Sequence, residues 1–401
     1  MNILFYTRNE VAPQFGGIER VTAILAESFT QRYQAHCFSA FKFTIDKDFT
    51  KYQFDDTINI HSLRHLDDLV EFINKHQIDI VINQAEHRLS LPLRQALEKT
   101  GNQHCRIIFA LHVKPCAELD FIEISGPKQD FLAGRKRIKS LRKCLTLMYK
   151  KQLQRYRLPK FYRRTYTTAD RLVLLSQNYK APFIKYANLK DYKKSIDAIP
   201  NAVSFPTFFN INHYNTKEKV VLIVARLEEK QKRISLALKI WKAIENDQKL
   251  ADWSLKIVGH GQMNQWYHQL AAEYGLKRVA FEGMQNPEPY YEKAAVFMMT
   301  SSYEGFPMTL LESMQKGCVP LAFNTFESIS DLITDEQNGF IIPEMDFETY
   351  IKQLKRVMYN DELRQTMAVQ AIENSRRFSI ENVTQQWMKL FHEVLADKKP
   401  E

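Results

Sequence analysis

A short apolar run followed by a helical pattern, repeated and then restarted, is the feature that most limits how this chain folds. NILFYT (2–7) opens the series, and DIVIN (79–83), RIIFALH (106–112) and RLVLLS (171–176) continue it. Helical stretches lie between them; Ile18, Val21, Leu25 and Phe29 recur at helical spacing. That alternation implies a parallel sheet covered by helices. IPNAVSFP (199–206) breaks the pattern, and the polar run NINHYNTKE (210–218) follows. The series then restarts with VVLIVA (220–225), RISLALKIWKAI (233–244), SLKIVGHG (254–261) and QWYHQLAAEYG (265–275). VAFEGM, AAVFMMTSS, VPLAFN and NGFIIP supply further strands. The expectation is two doubly wound α/β domains, 1–205 and 206–378, with a last helix over 379–396 packing back on the first.

Composition narrows the class. In MNILFYTRNE, Arg8 and Glu10 come before any apolar run long enough for a secretory leader, so none is expected. VVLIVA is strand length, far too short to span a bilayer. Cys37, Cys105, Cys116, Cys144 and Cys318 are scattered and form no C-x-x-C pair, which reads as reduced thiols in a cytoplasmic protein. The net charge of +10 suggests acidic partners. Much of it lies in 131–168, a segment without any acid, where Arg135, Lys136, Lys139, Arg142, Lys143 and Lys150 are among the basic residues.

SSYEGFPMTLLESM (301–314) carries the chemistry. It sets Glu304 and Glu312 about a Gly305-Phe306-Pro307 turn, with a helix pattern starting near Met308, Thr309 and Leu310. The N–H groups at such a helix start suit a phosphate. Two carboxylates would repel that phosphate if it lay between them, yet they would accept hydrogen bonds from hydroxyl pairs on either side of it. A nucleotide sugar has this layout: ribose diol, diphosphate, sugar hydroxyls. Arg226, after the VVLIVA strand, and Lys232, before the next helix, are placed to supply positive charge.

These residues resemble a known family. E-G-F-P-M-T-L-L-E is similar to the E-x7-E motif of retaining nucleotide-sugar glycosyltransferases of the GT-B fold, family 4. FGGIERV (15–21) resembles the family's glycine loop, the LH at 111–112 its strand-end histidine, IPNAV (199–203) its IPNGV segment, and ARLEEKQK (225–232) its Arg/Lys pair. NGFIIP (338–343) resembles its late strand. The resemblance implies two Rossmann-like domains, the first binding the acceptor and the second the donor, facing across a cleft. It implies that Glu304 contacts the donor sugar, that Glu312 contacts the ribose, and that Arg226 and Lys232 neutralise the diphosphate. Gly16 and Gly17 would bring backbone amides to the phosphate or the acceptor, and His112 would face the reacting sugar. Gly305, Phe306, Pro307, Met308, Thr309 and Leu310 would line the donor site. The resemblance further implies a UDP-sugar donor, a polysaccharide or lipid-linked oligosaccharide acceptor, and neither metal nor cofactor. Lys230 and Arg233 compete with Lys232 for the lysine's place.

The basic stretch has two readings. Ile138, Leu141, Leu145 and Met148 form a narrow helical stripe flanked by Lys and Arg. It is either a domain helix with a solvated face or a helix lying on an anionic membrane surface, which would make the protein peripheral on the inner face of the cell membrane. Rival functions are a nucleotide-sugar epimerase on the same fold, a glycosidase, which also uses two carboxylates, and a basic nucleic-acid-binding protein. No recognised nucleic-acid motif accompanies the charge, so no nucleic-acid partner is expected.

Overall fold

In the computed structural model, residues 1–46, 48–85, 88–120, 122, 137–190 and 195–397 are described. They form two compact units, Met1–Ile199 with Thr384–Glu401, and Pro200–Val383. The division falls at 199/200 and 383/384, where the sequence reading expects 205/206 and 378/379. Tyr214, in the polar run that reads as a joint, is buried in the core of the second unit. Val203 N–H donates to the Phe378 carbonyl at 2.8 Å, and the Phe378 ring lies 5.4 Å from that of Phe306.

The first unit holds β1 Asn2–Asn9, β2 His36–Phe43, β3 Thr57–Asn59, β4 Ile80–Asn83, β5 Arg106–Leu111, β6 Arg171–Leu174 and β7 Ile196–Ala198. Among the described residues every pairing is parallel, in the order β3-β2-β1-β4-β5-β6-β7. The second unit holds β8 Glu218–Val224, β9 Ser254–Val258, β10 Val279–Gly283, β11 Ala294–Met299, β12 Val319–Phe323 and β13 Phe340–Ile342. Its order is β10-β9-β8-β11-β12-β13, again parallel. Both sheets are therefore doubly wound, with the order reversing between β1 and β4 and between β8 and β11. In such sheets the crevice beyond the strand C-termini at the reversal is the usual ligand position.

β2 is a strand that the aliphatic runs do not announce. Its HCFSAFKF mixes Cys, Ser, Ala and Lys, and its interior is nonetheless buried beside β1. From Thr384 on, the helix Ile380–Ala396 belongs to the first unit. The Phe391 ring lies 5.4 Å from that of Phe29 and 5.7 Å from that of Trp387. Arg106 Nε donates to the Val394 carbonyl at 3.2 Å.

The acid-free stretch forms the helix Arg137–Thr168, about 48 Å long at 1.5 Å per residue. Arg135 and Lys136 lie outside the described residues. The C-terminal part is anchored: Leu158, Tyr162, Thr165 and Tyr166 are buried, and the Tyr162 hydroxyl donates to Glu118 Oε2 at 2.8 Å. The N-terminal part leaves Ile138, Leu141, Leu145, Met148 and Tyr149 exposed.

Phe391→Ala should lower the unfolding free energy by about 3–5 kcal/mol, as for a fully buried aromatic truncated in a core. Lys389→Ala, two residues away and exposed, should stay within about 0.5 kcal/mol. Denaturant unfolding of both variants measures the contrast.

Candidate functional site

In the second unit the site is built at the β8/β11 reversal. Beyond β8, the backbone of Ala225 and Leu227 runs against the VGHG turn: Ala225 N–H donates to the Val258 carbonyl and Leu227 N–H to that of His260, both at 3.0 Å. Glycine is required at this approach. Gly259 has φ +142°, and a Cβ there would lie 1.9 Å from the Ala225 carbonyl oxygen. The chain then makes one helical turn, Glu229–Lys232, and Arg233 ends it in the left-handed region with φ 49°. That reversal of direction starts the helix Ile234–Glu245.

The loop after β11 clasps this turn. Ser302 N–H donates to the Gln231 carbonyl at 2.7 Å, its hydroxyl to the Lys230 carbonyl at 2.8 Å, and the Thr300 hydroxyl to that of Lys232 at 2.9 Å. Arg233 donates to the carbonyls of Thr300 and Ser301 at 2.9 and 3.0 Å. Its guanidinium is thus committed to the frame, which leaves Lys232 as the cation that reaches the acid: its Nζ lies 2.6 Å from Glu304 Oε1. Both side chains are largely buried, at 15% and 9% exposure. Thr309 and Lys232 line the same crevice at the strand ends, with Ala225, Thr300 and Ser301.

Gln231 is the residue that sequence reasoning passes over. Its Nε2 donates to the Tyr303 carbonyl at 3.2 Å and to Glu304 Oε2 at 3.3 Å, and its Oε1 accepts from Arg226 Nη2 at 3.3 Å. It links the exposed Arg226 to the buried pair. Nothing in its type or spacing marks it, because an amide earns its role only from the groups it bridges.

The two glutamates occupy different surroundings. The helix Met308–Gln315 starts after Pro307 with no side chain capping it. Glu304, Phe306 and Met308 are buried before or at its start, and Ser328 donates to the Gly305 carbonyl at 2.9 Å. Leu310, in its first turn, is a core residue. Glu312, one turn in, has no exposed surface. Its Oε1 accepts from the Ser204 hydroxyl at 2.5 Å and its Oε2 from the Tyr291 hydroxyl at 3.0 Å.

The remaining candidates stand in the first unit. Gly16 precedes the helix Gly17–Tyr33 in extended conformation. A Cβ on Gly16 would lie 2.5 Å from Glu19 Oε2, whereas one on Gly17 would meet open space. Buried Glu19 thus folds back over the helix start, and its Oε1 accepts from Asn9 Nδ2 at 3.0 Å. This acid, unnoticed in the sequence, opposes a phosphate at that spot and suits a hydroxyl. His112 ends β5. Its Nε2 is buried and without a hydrogen-bond partner, and burial pushes the imidazole down from 6.5 to about 4, so it is neutral at pH 7.

Residues 204–374 match the model of the family described as glycosyl transferases group 1. The match lies within the second unit. Over 228 residues the chain is 27% identical to the amylovoran biosynthesis glycosyltransferase AmsD of Erwinia amylovora, covering 55% of this chain and 62% of AmsD. Over 236 residues it is 25% identical to a Campylobacter jejuni α-1,4-N-acetyl-D-galactosaminyltransferase named for a diNAcBac-PP-undecaprenol substrate, covering 59% of this chain and 64% of that one. The matches span less than two thirds of these relatives' lengths. Anabaena HepE in complex with UDP superposes with a TM-score of 0.68 at 15% identity, over 98% of this chain and 100% of HepE. That likeness speaks to fold, and the fold class is the GT-B class expected from the sequence. The group 1 match leaves the epimerase and nucleic-acid readings without support.

Because the second unit buries the Lys232–Glu304 pair, removing one partner should be costly. Lys232→Ala should lower the unfolding free energy by roughly 2–3 kcal/mol, and a double-mutant cycle with Glu304→Ala should show coupling above about 1 kcal/mol. Lys230→Ala should stay within about 0.5 kcal/mol. A large loss at 230 with little at 232 would shift the lysine's register to 230.

Proposed function

We propose that this protein transfers a sugar from a nucleoside diphosphate-sugar, with UDP as carrier, to a hydroxyl of a polysaccharide or lipid-linked glycan, with retention of configuration and without a metal. The observation that carries the reading is the Lys232–Glu304 pair at the β8/β11 reversal, with Arg226 joined to it through Gln231. On donor arrival the Lys232 ammonium and the Arg226 guanidinium take the diphosphate. Glu304 turns its carboxylate to the sugar hydroxyls, and Glu312 takes the ribose. Gly16, Gly17 and His112 serve the acceptor side; the Glu19 carboxylate beside Gly16 favours a hydroxyl guest there.

Retention through two steps would need an enzyme nucleophile, and neither motif carboxylate is placed for that role: one is ion-paired and the other has no exposed surface. The proposed route is a same-face displacement. The bond from the anomeric carbon to the diphosphate oxygen breaks, the bond to the acceptor oxygen forms, and the acceptor proton goes to the diphosphate. Arg226, Lys232 and the uncapped start of the helix Met308–Gln315 stabilise the charge that builds on the leaving group. UDP in the HepE structure and the lipid-diphosphate in the Campylobacter relative's name support the choice of donor and acceptor.

Calorimetric titration of UDP tests the division of labour. Glu312→Gln should weaken UDP binding about tenfold or more, while Glu304→Gln should leave UDP affinity near the parent's and lower turnover by about a hundredfold. Equal loss of UDP affinity in both variants would overturn it.

The helix Arg137–Thr168 supplies the second part of the proposal, a face for an anionic membrane. Ile138 (86% exposed), Leu145, Met148, Tyr149 and Tyr156 lie uncovered with Lys139, Arg142, Lys143 and Lys150 exposed along the same helix. Among the described residues no helix is long and apolar enough to cross a membrane, so the contact would be superficial. Each basic residue near an anionic surface contributes about 1 kcal/mol, which salt screens, and the apolar stripe adds a part that salt leaves. The protein should float with anionic liposomes at low salt, ignore neutral ones and detach partly as salt rises. Changing Lys139, Lys143 and Lys150 to Glu should abolish flotation and spare transfer to a short soluble acceptor. Equal flotation of variant and parent would make the stretch a solvated helix face.

A further inference from the structure

Glu312 is a fully buried carboxylate with a movable cover. Tyr291, on one side, cannot yield: it is wholly buried, its ring lies 6.0 Å from those of both Phe205 and Phe297, and its carbonyl accepts from Lys217 Nζ at 2.8 Å. Ser204, on the other side, is only half-buried. Its neighbours pin the backbone: Val203 N–H to the Phe378 carbonyl at 2.8 Å, and Gln315 Nε2 to the Phe205 carbonyl at 2.6 Å. Rotation about the Ser204 Cα–Cβ bond then moves its hydroxyl off Glu312 Oε1 without shifting that backbone.

A buried carboxylate left without a hydroxyl is costly, and the 2.5 Å Ser204–Glu312 hydrogen bond is of the short, charge-assisted kind. We infer that the Ser204 hydroxyl is an internal stand-in for a sugar hydroxyl. It keeps Glu312 satisfied while the site is empty and swings off Oε1 when a ribose hydroxyl arrives to replace it. The inference rests on the proposal that Glu312 holds the ribose. It adds a specificity device. A nucleotide lacking ribose hydroxyls cannot repay the displaced bond, so it leaves Ser204 in place and binds without Glu312. It also explains how a carboxylate with no exposed surface can serve as a ligand.

The test titrates UDP and 2′,3′-dideoxy-UDP against the parent, Ser204→Ala, Ser204→Thr and Glu312→Gln. Without the competing hydroxyl, Ser204→Ala should bind UDP about tenfold more tightly than the parent. It should bind the dideoxy compound no more tightly than the parent does, and Ser204→Thr should restore parental affinities. Unliganded Ser204→Ala should melt below the parent, and saturating UDP should narrow that gap. If Ser204→Ala folds too poorly to titrate, Ser204→Cys, a weaker donor, should show the same tightening to a lesser degree. Parental or weaker UDP binding by the Ala or Cys variant, or equal tightening toward the dideoxy compound, would overturn the stand-in. Failure of the underlying reading looks different: Glu312→Gln would then bind UDP as the parent does.

Discussion

The ion pair between Lys232 and Glu304 is the interaction around which the second unit is arranged. Two charges this little exposed gain from each other only when their geometry is held and their remaining hydrogen-bonding capacity is met. The frame does both. Arg233, in the left-handed region, ends the turn so that Lys232 points back to the strand ends, and its guanidinium fastens that turn to Thr300 and Ser301. Gln231 meets the second oxygen of Glu304 and holds Arg226 nearby. Residues 72 apart in sequence meet because β8 and β11 are neighbours where the strand order reverses.

The same helix start treats its two acids unequally. Glu304 precedes the helix and is compensated by a cation. Glu312 lies inside it, among core residues, and accepts from the hydroxyls of Ser204 and Tyr291. Lys232 can exchange one anionic partner, the Glu304 carboxylate, for another as a diphosphate enters, and that releases Glu304 for the hydroxyls of the proposed donor. A carboxylate satisfied by hydroxyls is ready to exchange one hydroxyl for another.

The long basic helix shows how one element divides between structure and surface. Its C-terminal part is held by Tyr162, whose hydroxyl donates to Glu118 and accepts from Cys116 N–H at 3.0 Å. Its N-terminal part buries Cys144 but leaves a line of large apolar side chains in solvent. The membrane-surface proposal rests on this uncovered apolar line and on its basic neighbours without any intervening acid.

The sequence by itself determined the parallel α/β architecture, since alternating short apolar runs and helical patterns allow few other layers, and β1, β5, β8 and β11 were all legible as aliphatic runs. It also located both glutamates, Arg226 and the lysine cluster, because those residue types beside a glycine turn are chemically distinctive. It could not show β2, whose polar and small residues are buried by neighbouring strands rather than by their own hydrophobicity. It could not choose among Lys230, Lys232 and Arg233, which differ in where a left-handed residue sends the chain. Only the tertiary structure decided that Gln231 joins Arg226 to Glu304, that Glu19 covers the first helix start, and that Ser204 and Tyr291 enclose Glu312. Most of these are meetings between residues far apart in the chain, and the physical reason they escape the sequence is that hydrogen-bond partners depend on distance in space, for which spacing along the chain carries no record.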